Sequence, residues 1–161
     1  MKMKDQLELT SPTAREREAE AFHYLRTKSD IQGVELSQMV QGLAVGQAVC
    51  HSLASASGWW NNRDGSAIDP FDHNVFGCKI ALIHSEVSEA MEGGRKNKTD
   101  DHLPHRPAEE VELADAIIRI MDLAGARQLD VAGALVEKLA YNQQRADHKP
   151  ENRFAPGGKA F

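Results

Sequence analysis

The sequence predicts an all-α fold, with a four-helix-bundle-like core and an extra N-terminal helix. Two observations predict this class. Proline is excluded from helix interiors, and three long stretches are left uninterrupted by the six prolines, Pro12, Pro70, Pro104, Pro107, Pro150 and Pro156. Apolar residues in these stretches recur at helical spacing, whereas no segment shows the alternation of a strand. With 161 residues, 41% of them hydrophobic, the chain is long enough to bury one core.

The first helix is predicted from its amphipathic pattern and N-terminal signal, and the next two from their apolar spacing and the glycines that follow them. An amphipathic segment over residues 11–28 forms the extra helix and is expected to lie outside the main bundle. Residues 34–57 carry apolar side chains near helical spacing, and a glycine follows them as a terminator. Residues 77–92 show a second apolar stripe, which is predicted to stop at Gly93 and Gly94.

The last two helices are predicted from residues that favour helix starts. Pro107 opens the fourth helix, because proline is favoured in the first turn, and Gly125 is expected to end it. Asp130 is a predicted N-cap for the fifth helix, over residues 131–145, on which Leu135 and Leu139 are expected to face inward. Together the five segments cover more than half of the chain, well above the usual helix content of about 30–35%.

Composition and charge exclude several classes of function. The chain carries 24 acidic and 19 basic residues, a net charge of −5, so its average field repels a nucleic acid polymer. No apolar run approaches the ~18 residues that a membrane-spanning helix needs. The chain has two cysteines, Cys50 and Cys78, and its first residues lack the apolar core of a signal peptide, so a cytoplasmic location is expected.

Two pairs of acidic residues lie on consecutive predicted helices. Glu86 and Glu89 are three residues apart on the third helix. Glu112 and Asp115 have the same spacing on the fourth, so each pair shares one helical face and borders an apolar stripe. Four carboxylates at such positions repel one another and lose hydration unless a divalent cation lies among them. Oxygen ligands without cysteine or histidine favour Mg²⁺, with Mn²⁺ as an alternative. Either pair alone is typical of a solvated flank, but two pairs joined by a basic loop over residues 94–106 favour a metal site.

A line of polar residues on the fifth predicted helix complements these acids. Lys138, Asn142 and Arg145 are spaced i, i+4 and i+7, so they form one line on the helix surface. Lysine and arginine offer charge and forked donors to phosphate oxygens, and asparagine offers a neutral donor and acceptor. Such a line by itself is typical of an exposed surface stripe. Opposite a carboxylate metal site, it predicts a phosphate clamp.

Three motifs occur in order along the chain: E-x-x-E at residues 86–89, E-x-x-D at 112–115 and K-x-x-x-N-x-x-R at 138–145. With these motifs the chain resembles the MazG-like, all-α nucleoside triphosphate pyrophosphohydrolases, a superfamily that includes dimeric dUTPases and phosphoribosyl-ATP pyrophosphohydrolases. Each motif alone has low specificity, whereas the ordered set of three is specific. The resemblance implies that residues 34–161 form a MazG-type domain and that residues 1–33 are an N-terminal extension, which is expected to be helical.

The resemblance also implies an activity, a cofactor and roles for individual residues. A nucleoside triphosphate, expected to be a deoxynucleotide, would be cleaved between its α and β phosphates to a monophosphate and pyrophosphate. The implied ligands of Mg²⁺ or Mn²⁺ are Glu86, Glu89, Glu112 and Asp115, with Glu89 also orienting the attacking water. The implied triphosphate-binding residues are Lys138, Asn142, Arg145 and Lys159. The family further implies a homodimer or homotetramer in which helices of more than one chain shape each pocket.

Two adjacent tryptophans follow the second predicted helix. Trp59 and Trp60 are the candidates for contact with a nucleobase, because aromatic faces stack on bases. The alternative interpretation is that they anchor the turn after this helix onto the core. His51, a few residues earlier, is expected to be half-buried rather than to bind a ligand.

The residues leave one alternative function of a different class. A helical, oligomeric protein could bind nucleotides or serve as a scaffold without hydrolysing its ligand. All four acidic residues and all three residues of the phosphate line are present, and this completeness favours the enzyme. Release of pyrophosphate from a nucleotide distinguishes the two functions.

Overall fold

The protein is described by a computed structural model that covers residues 13–28 and 32–158. Helices make up 72% of these residues and no strand occurs among them, which confirms the all-α fold. In this part of the chain the α-helices are α1 (Ala14–Lys28), α2 (Gly33–Ala56), α3 (His73–Lys96), α4 (Ala108–Ala126), α5 (Val131–Gln144) and α6 (Pro150–Arg153). A short 3₁₀-helix, Ala146–His148, connects α5 to α6. None of the described helices is both long enough and apolar enough to cross a membrane.

The chain divides into two compact units. Unit 1 contains the described residues up to Leu43 and from Asp130 onward, and unit 2 contains Ala44–Leu129. Helix α2 contributes residues to both units, whereas α3 and α4 belong to unit 2 alone. Each unit has its own helix pair, α1 with α5 in unit 1 and α3 with α4 in unit 2.

The core of unit 1 lies between α1, α5 and the first turns of α2. Its buried residues are Ala21, Leu25, Leu36, Val136 and Ala140. Helix α1, which was expected to lie outside the main bundle, therefore packs on α5 and shares a core with it. Leu135 was expected to face inward but is 38% exposed, whereas its neighbour Val136 is fully buried. Leu139, the other position expected to face inward, is partly buried and packs against this core.

Helix α3 of unit 2 is longer than predicted at both ends. It begins at His73, because Asp72 caps it by accepting hydrogen bonds from the backbone N–H groups of Asn74 (2.7 Å) and Val75 (3.0 Å). It continues through the predicted glycine stop to Lys96. Asn97 then ends the helix in the left-handed conformation, at φ 51°.

The glycines that were predicted to end α3 and α4 are points of close helix contact. A Cβ atom on Gly93 would lie 3.0 Å from both the Cβ of Ala108 and the backbone N of Glu109, at the start of α4. A Cβ atom on Gly125 would lie 2.5 Å from the Cβ of His51 on α2. Both glycines are therefore needed for packing within unit 2, and α4 passes Gly125 to end at Ala126.

The connection between α3 and α4 is folded back on itself by hydrogen bonds. The backbone N–H of Asp100 donates to Arg106 O (3.0 Å), and that of Ala108 donates to Lys98 O (3.0 Å). The buried carboxylate of Asp100 accepts hydrogen bonds from the N–H groups of His102 (2.9 Å) and Leu103 (2.6 Å). The loop is thereby held against the α3/α4 pair, next to the predicted acidic residues.

Candidate functional site

The packing of α3 against α4 brings three of the four predicted metal ligands together. One carboxylate oxygen from each of Glu86, Glu89 and Glu112 lies within 4.8 Å of the other two. Glu86 is buried, Glu112 is half-buried and Glu89 is exposed. Asp115 stands one turn after Glu112 and lines the same cleft, which has a volume of about 460 Å³. The packing of the two helices thus brings the two acidic pairs, each with i, i+3 spacing, to one cleft.

Burial and like charge act together on Glu112. The pKa of Glu112 is raised from its ordinary value of 4.5, first by desolvation and then by the charge of Glu89. A hydrogen bond with Glu86 and the charges of Glu86 and Asp115 raise it further. The charged form of Glu112 is therefore disfavoured in this surrounding, and a bound cation would relieve the repulsion.

We expect the metal-free protein to gain stability when Glu112 is replaced by glutamine. The raised pKa means that the folded chain holds this proton more tightly than the unfolded chain, so Glu112 lowers stability as the pH rises above 4.5. Glutamine carries no charge at any of these pH values, so the variant does not lose this stability as the pH rises. The free energy of unfolding of the variant should exceed that of the wild type at pH 7, and the difference should disappear as the pH falls below 4.5. Urea unfolding in EDTA at both pH values measures it, and an unchanged or lower stability at pH 7 would contradict it.

The donor set fits a hard divalent cation. The three converging side chains are all carboxylates, and oxygen ligands of this kind suit Mg²⁺, Mn²⁺ or Ca²⁺ rather than a thiolate-seeking metal. The cleft is open to solvent on the side of the exposed Glu89, so a cation has a path of entry. The cluster can therefore hold a hard divalent cation.

Arg119 is a member of the cleft that the sequence analysis did not identify. Its Nε donates a hydrogen bond to Glu86 Oε1 at 2.6 Å, and its side chain is 41% exposed. His102 and Leu103, from the loop before α4, also line the cleft. A signal for Arg119 was present, because it stands four residues after Asp115 and therefore shares the face of α4 that carries the acidic residues.

The predicted phosphate-binding residues lie in unit 1. Lys138 and Asn142 are on α5, and the Nζ atom of Lys138 lies 4.6 Å from the centre of the Tyr141 ring. The Oδ1 atom of Asn142 is buried and has no hydrogen-bond partner among the described residues. Helix α5 ends at Gln144, so Arg145 is the extended C-cap residue and not, as predicted, a helical member of the line.

Arg145 has a partner close by, and Lys159 falls outside the described part of the chain. The guanidinium of Arg145 donates to both carboxylate oxygens of Asp147, from Nε at 2.9 Å and from Nη2 at 2.6 Å. This bidentate pair occupies the same fork that a phosphate would use. The carboxylate cluster belongs to unit 2, whereas the predicted phosphate-binding residues on and after α5 belong to unit 1. Each set is therefore described within its own unit. The roles of Arg145 and Lys159 stay predictions.

The two tryptophans have different surroundings. Trp59 is 70% exposed, whereas Trp60 is 8% exposed and donates its indole N–H to Asp122 Oδ1 at 2.6 Å. His51 Nδ1 lies 3.0 Å from the same oxygen, and the His51 ring is half-buried as expected. Lys79 Nζ lies 3.5 Å from Asp122 Oδ2 and 4.1 Å from the centre of the Trp60 ring. Trp60 is therefore an anchor in this structure, and Trp59 is the one of the two with a free ring face.

The network around Asp122 was not identified from the sequence. Asp122 has only 7% of its surface exposed, and its partners come from α2, the loop after α2 and α3. Only its position seven residues after Asp115, on the same helix, could have indicated a buried acidic residue.

Comparison with known proteins adds no relative. Searches of the chain against protein-family models, curated proteins and solved structures found no match. The resemblance to the MazG-like family therefore rests on the three sequence motifs alone. Membership of that family stays a prediction, and the proposal that follows is carried by the carboxylate cluster.

Proposed function

We propose that the protein is a nucleoside triphosphate pyrophosphohydrolase, which cleaves a deoxynucleoside triphosphate between its α and β phosphates with Mg²⁺, or Mn²⁺ in its place. One observation carries this proposal: carboxylate oxygens of Glu86, Glu89 and Glu112 converge within 4.8 Å of one another on a helix pair. A triphosphate carries several negative charges, so an acidic site of this kind can accept it only together with cations. The family resemblance supplies the position of the cleaved bond.

Each carboxylate has a role that suits its burial. Glu86 and Glu112, buried and half-buried, would hold the cation together with Asp115, because their positions are restricted by packing. A bound divalent cation would neutralise phosphate oxygens and stabilise the charge that develops during cleavage. Glu89 would be a further ligand of the cation. It is the exposed member, so its carboxylate is accessible to water and would also orient the attacking molecule and accept its proton.

We expect replacement of Lys138 or Arg145 by alanine to weaken nucleotide binding and to leave metal binding intact. Each residue would contribute a charged hydrogen bond to the triphosphate, worth about 1.5–3 kcal/mol, or roughly a tenfold to hundredfold loss of affinity. Calorimetric titration with a non-hydrolysable deoxynucleotide, and of Mn²⁺ alone, measures both effects. Arg63→Ala, which removes an exposed charge elsewhere, is the control. An equal loss of nucleotide and metal affinity would contradict this division of roles.

The proposal includes a homodimer or homotetramer. Apolar side chains at helical spacing are exposed on three helices of unit 2: Val45, Val49, Leu53, Val87, Met91, Leu113, Ile117 and Ile120. Exposed apolar stripes of this extent are typical of surfaces that another chain covers. Light scattering at micromolar concentration should therefore give a multiple of the chain mass, and Ile117→Asp should lower it. A monomer in both cases would contradict the oligomer.

A cytoplasmic location also belongs to the proposal. The thiols of Cys50 and Cys78 are free, and Cys78 is exposed, which suits a reducing compartment. Nucleoside triphosphates are abundant in that compartment, so the substrate and the state of the thiols agree.

A panel of nucleotides tests the activity itself. The full-length protein is incubated with Mg²⁺ and each canonical deoxynucleoside triphosphate, ribonucleoside triphosphate or base-modified analogue, and pyrophosphate and orthophosphate are measured separately. We expect pyrophosphate release that stops on addition of EDTA. Release of no pyrophosphate from any nucleotide by folded protein would overturn the enzyme. Nucleotide binding without release would then favour the alternative, a non-hydrolytic binding or scaffold protein.

A further inference from the structure

Arg119 places a permanent positive charge inside the carboxylate cluster. Its Nε donates to Glu86 Oε1 at 2.6 Å, and Glu86 is one of the three residues whose oxygens converge. The Arg119 side chain lines the same cleft as Glu89, Glu112 and Asp115. The carboxylate that would bind a divalent cation is therefore already paired with a cation of the protein.

We propose that Arg119 is a resident counter-cation, which the divalent cation displaces from Glu86, and that the released guanidinium then binds the triphosphate. This inference rests on the proposed function and concerns the regulation of the same site. An arginine does not lose its proton in proteins, so its charge can leave the cluster only by movement of the side chain. Metal binding and the position of Arg119 are thereby coupled.

The burial of the two partners indicates which of them moves. The Glu86 side chain is 8% exposed and lies in the contact between α3 and α4, whereas the Arg119 side chain is 41% exposed. A buried carboxylate without a partner is strongly unfavourable, so Arg119 would leave Glu86 only in exchange for another cation. A half-exposed arginine can turn toward solvent at little cost. The exchange therefore moves Arg119 and leaves Glu86 in place.

The position of Arg119 on α4 keeps it at the site after it has moved. It follows Asp115 by four residues and Glu112 by seven, so all three share one face of the helix. A guanidinium that leaves Glu86 stays beside the cluster and presents its planar fork to the cleft. Phosphate oxygens are a preferred partner of this fork, in a bidentate geometry.

Opposite changes in two affinities test this proposal. Mn²⁺ binding is measured by electron paramagnetic resonance without nucleotide, and binding of a non-hydrolysable deoxynucleoside triphosphate is measured with saturating Mn²⁺. In Arg119→Gln we expect Mn²⁺ to bind more tightly, on the order of tenfold, because a competing positive charge at ion-pair distance is gone. The nucleotide should bind more weakly, by roughly tenfold, because a charged donor to phosphate is lost.

Two further variants serve as controls. One tests whether the charge of Arg119 or the shape of its guanidinium matters, and the other tests whether the effect is confined to the cleft. Arg119→Lys keeps the charge without the fork, so its Mn²⁺ affinity should stay within about threefold of the wild type while its nucleotide affinity falls. Arg106→Gln is the matched control. It removes the exposed ion pair at 2.7 Å between Arg106 and Glu110, outside the cleft, and should change neither affinity.

The outcomes distinguish this inference from the metal site on which it rests. Unchanged or weaker Mn²⁺ binding in Arg119→Gln would overturn the exchange and leave the Arg119–Glu86 pair as a structural tie between α3 and α4. Tighter Mn²⁺ binding with unchanged nucleotide binding would overturn the second step. Mn²⁺ binding that is present in the wild type and lost in Glu112→Gln supports the metal site in either case. Absence of Mn²⁺ binding in the wild type would overturn both.

Discussion

Replacement of Glu89 by glutamine should abolish pyrophosphate release without unfolding the protein. The amide keeps the shape of the side chain but can neither accept a proton from water nor contribute negative charge to the cluster. Loss of such a group lowers the rate at least about a hundredfold. The exposed position of Glu89 means that its replacement removes no core contact, so the helical signal in circular dichroism should be unchanged. The rate is measured at saturating Mg²⁺ and nucleotide.

Two other substitutions complete this experiment. Asp115→Asn should have an effect similar to that of Glu89→Gln, because Asp115 lines the same cleft. Glu110→Gln is the matched control on α4, since Glu110 pairs with Arg106 on the surface and is about half exposed. A near-wild-type rate in Glu89→Gln would remove Glu89 from the mechanism. A loss in Glu110→Gln as large as that in Glu89→Gln would show that charge on this surface matters rather than the cleft.

Replacement of Asp122 by alanine should cause the largest loss of stability of any substitution considered in unit 2. Asp122 is 7% exposed and accepts the indole N–H of Trp60 at 2.6 Å. It also pairs with Lys79, whose side chain is only 18% exposed. Breaking a buried pair by removing one partner costs about 3–5 kcal/mol, because the other partner is left without compensation. Urea unfolding in the presence and absence of Mg²⁺ measures this change in the free energy of unfolding.

Two control variants test whether the charge and the buried position of Asp122 cause this loss of stability. Asp122→Asn keeps an acceptor for Trp60 and loses the charge opposite Lys79. We therefore expect its free energy of unfolding to lie between those of the wild type and Asp122→Ala. Asp101→Ala, at an exposed aspartate of the same unit, should change the free energy of unfolding by no more than about 0.5 kcal/mol. A loss in Asp122→Ala as small as that in Asp101→Ala would show that the network contributes little.

The helices could be predicted from the sequence, because proline positions and apolar periodicity are local properties. Their ends were less predictable, since a glycine stops a helix in one context and allows close packing in another. Gly93 and Gly125 both lie where a Cβ atom would meet a neighbouring helix, which no local pattern reveals. The start of α3 was missed because the prediction began the helix at Gly77, whereas its N-cap, Asp72, lies five residues earlier.

The acidic residues of the candidate site could be predicted from the sequence, whereas their partners could not. The acidic pairs on α3 and α4 were found because the i, i+3 spacing is local, and the packing of the two helices then brought them together. The partners of Glu86 and Asp122 were not found. Arg119 lies 33 residues from Glu86 in sequence, and Trp60 lies 62 residues from Asp122, so only tertiary structure pairs them. The same limit applied to the tryptophans, which are adjacent in sequence and have opposite burial.

Anomalous diffraction from crystals of the full-length protein grown with MnCl₂ is the most direct test of the central claim, that Glu86, Glu89 and Glu112 hold a divalent cation. The account predicts one strong manganese peak per chain, in contact with carboxylate oxygens of these three residues, with the Arg119 guanidinium moved away from Glu86. No manganese peak at the cluster at millimolar MnCl₂, with the three carboxylates ordered and Arg119 still on Glu86, would contradict it.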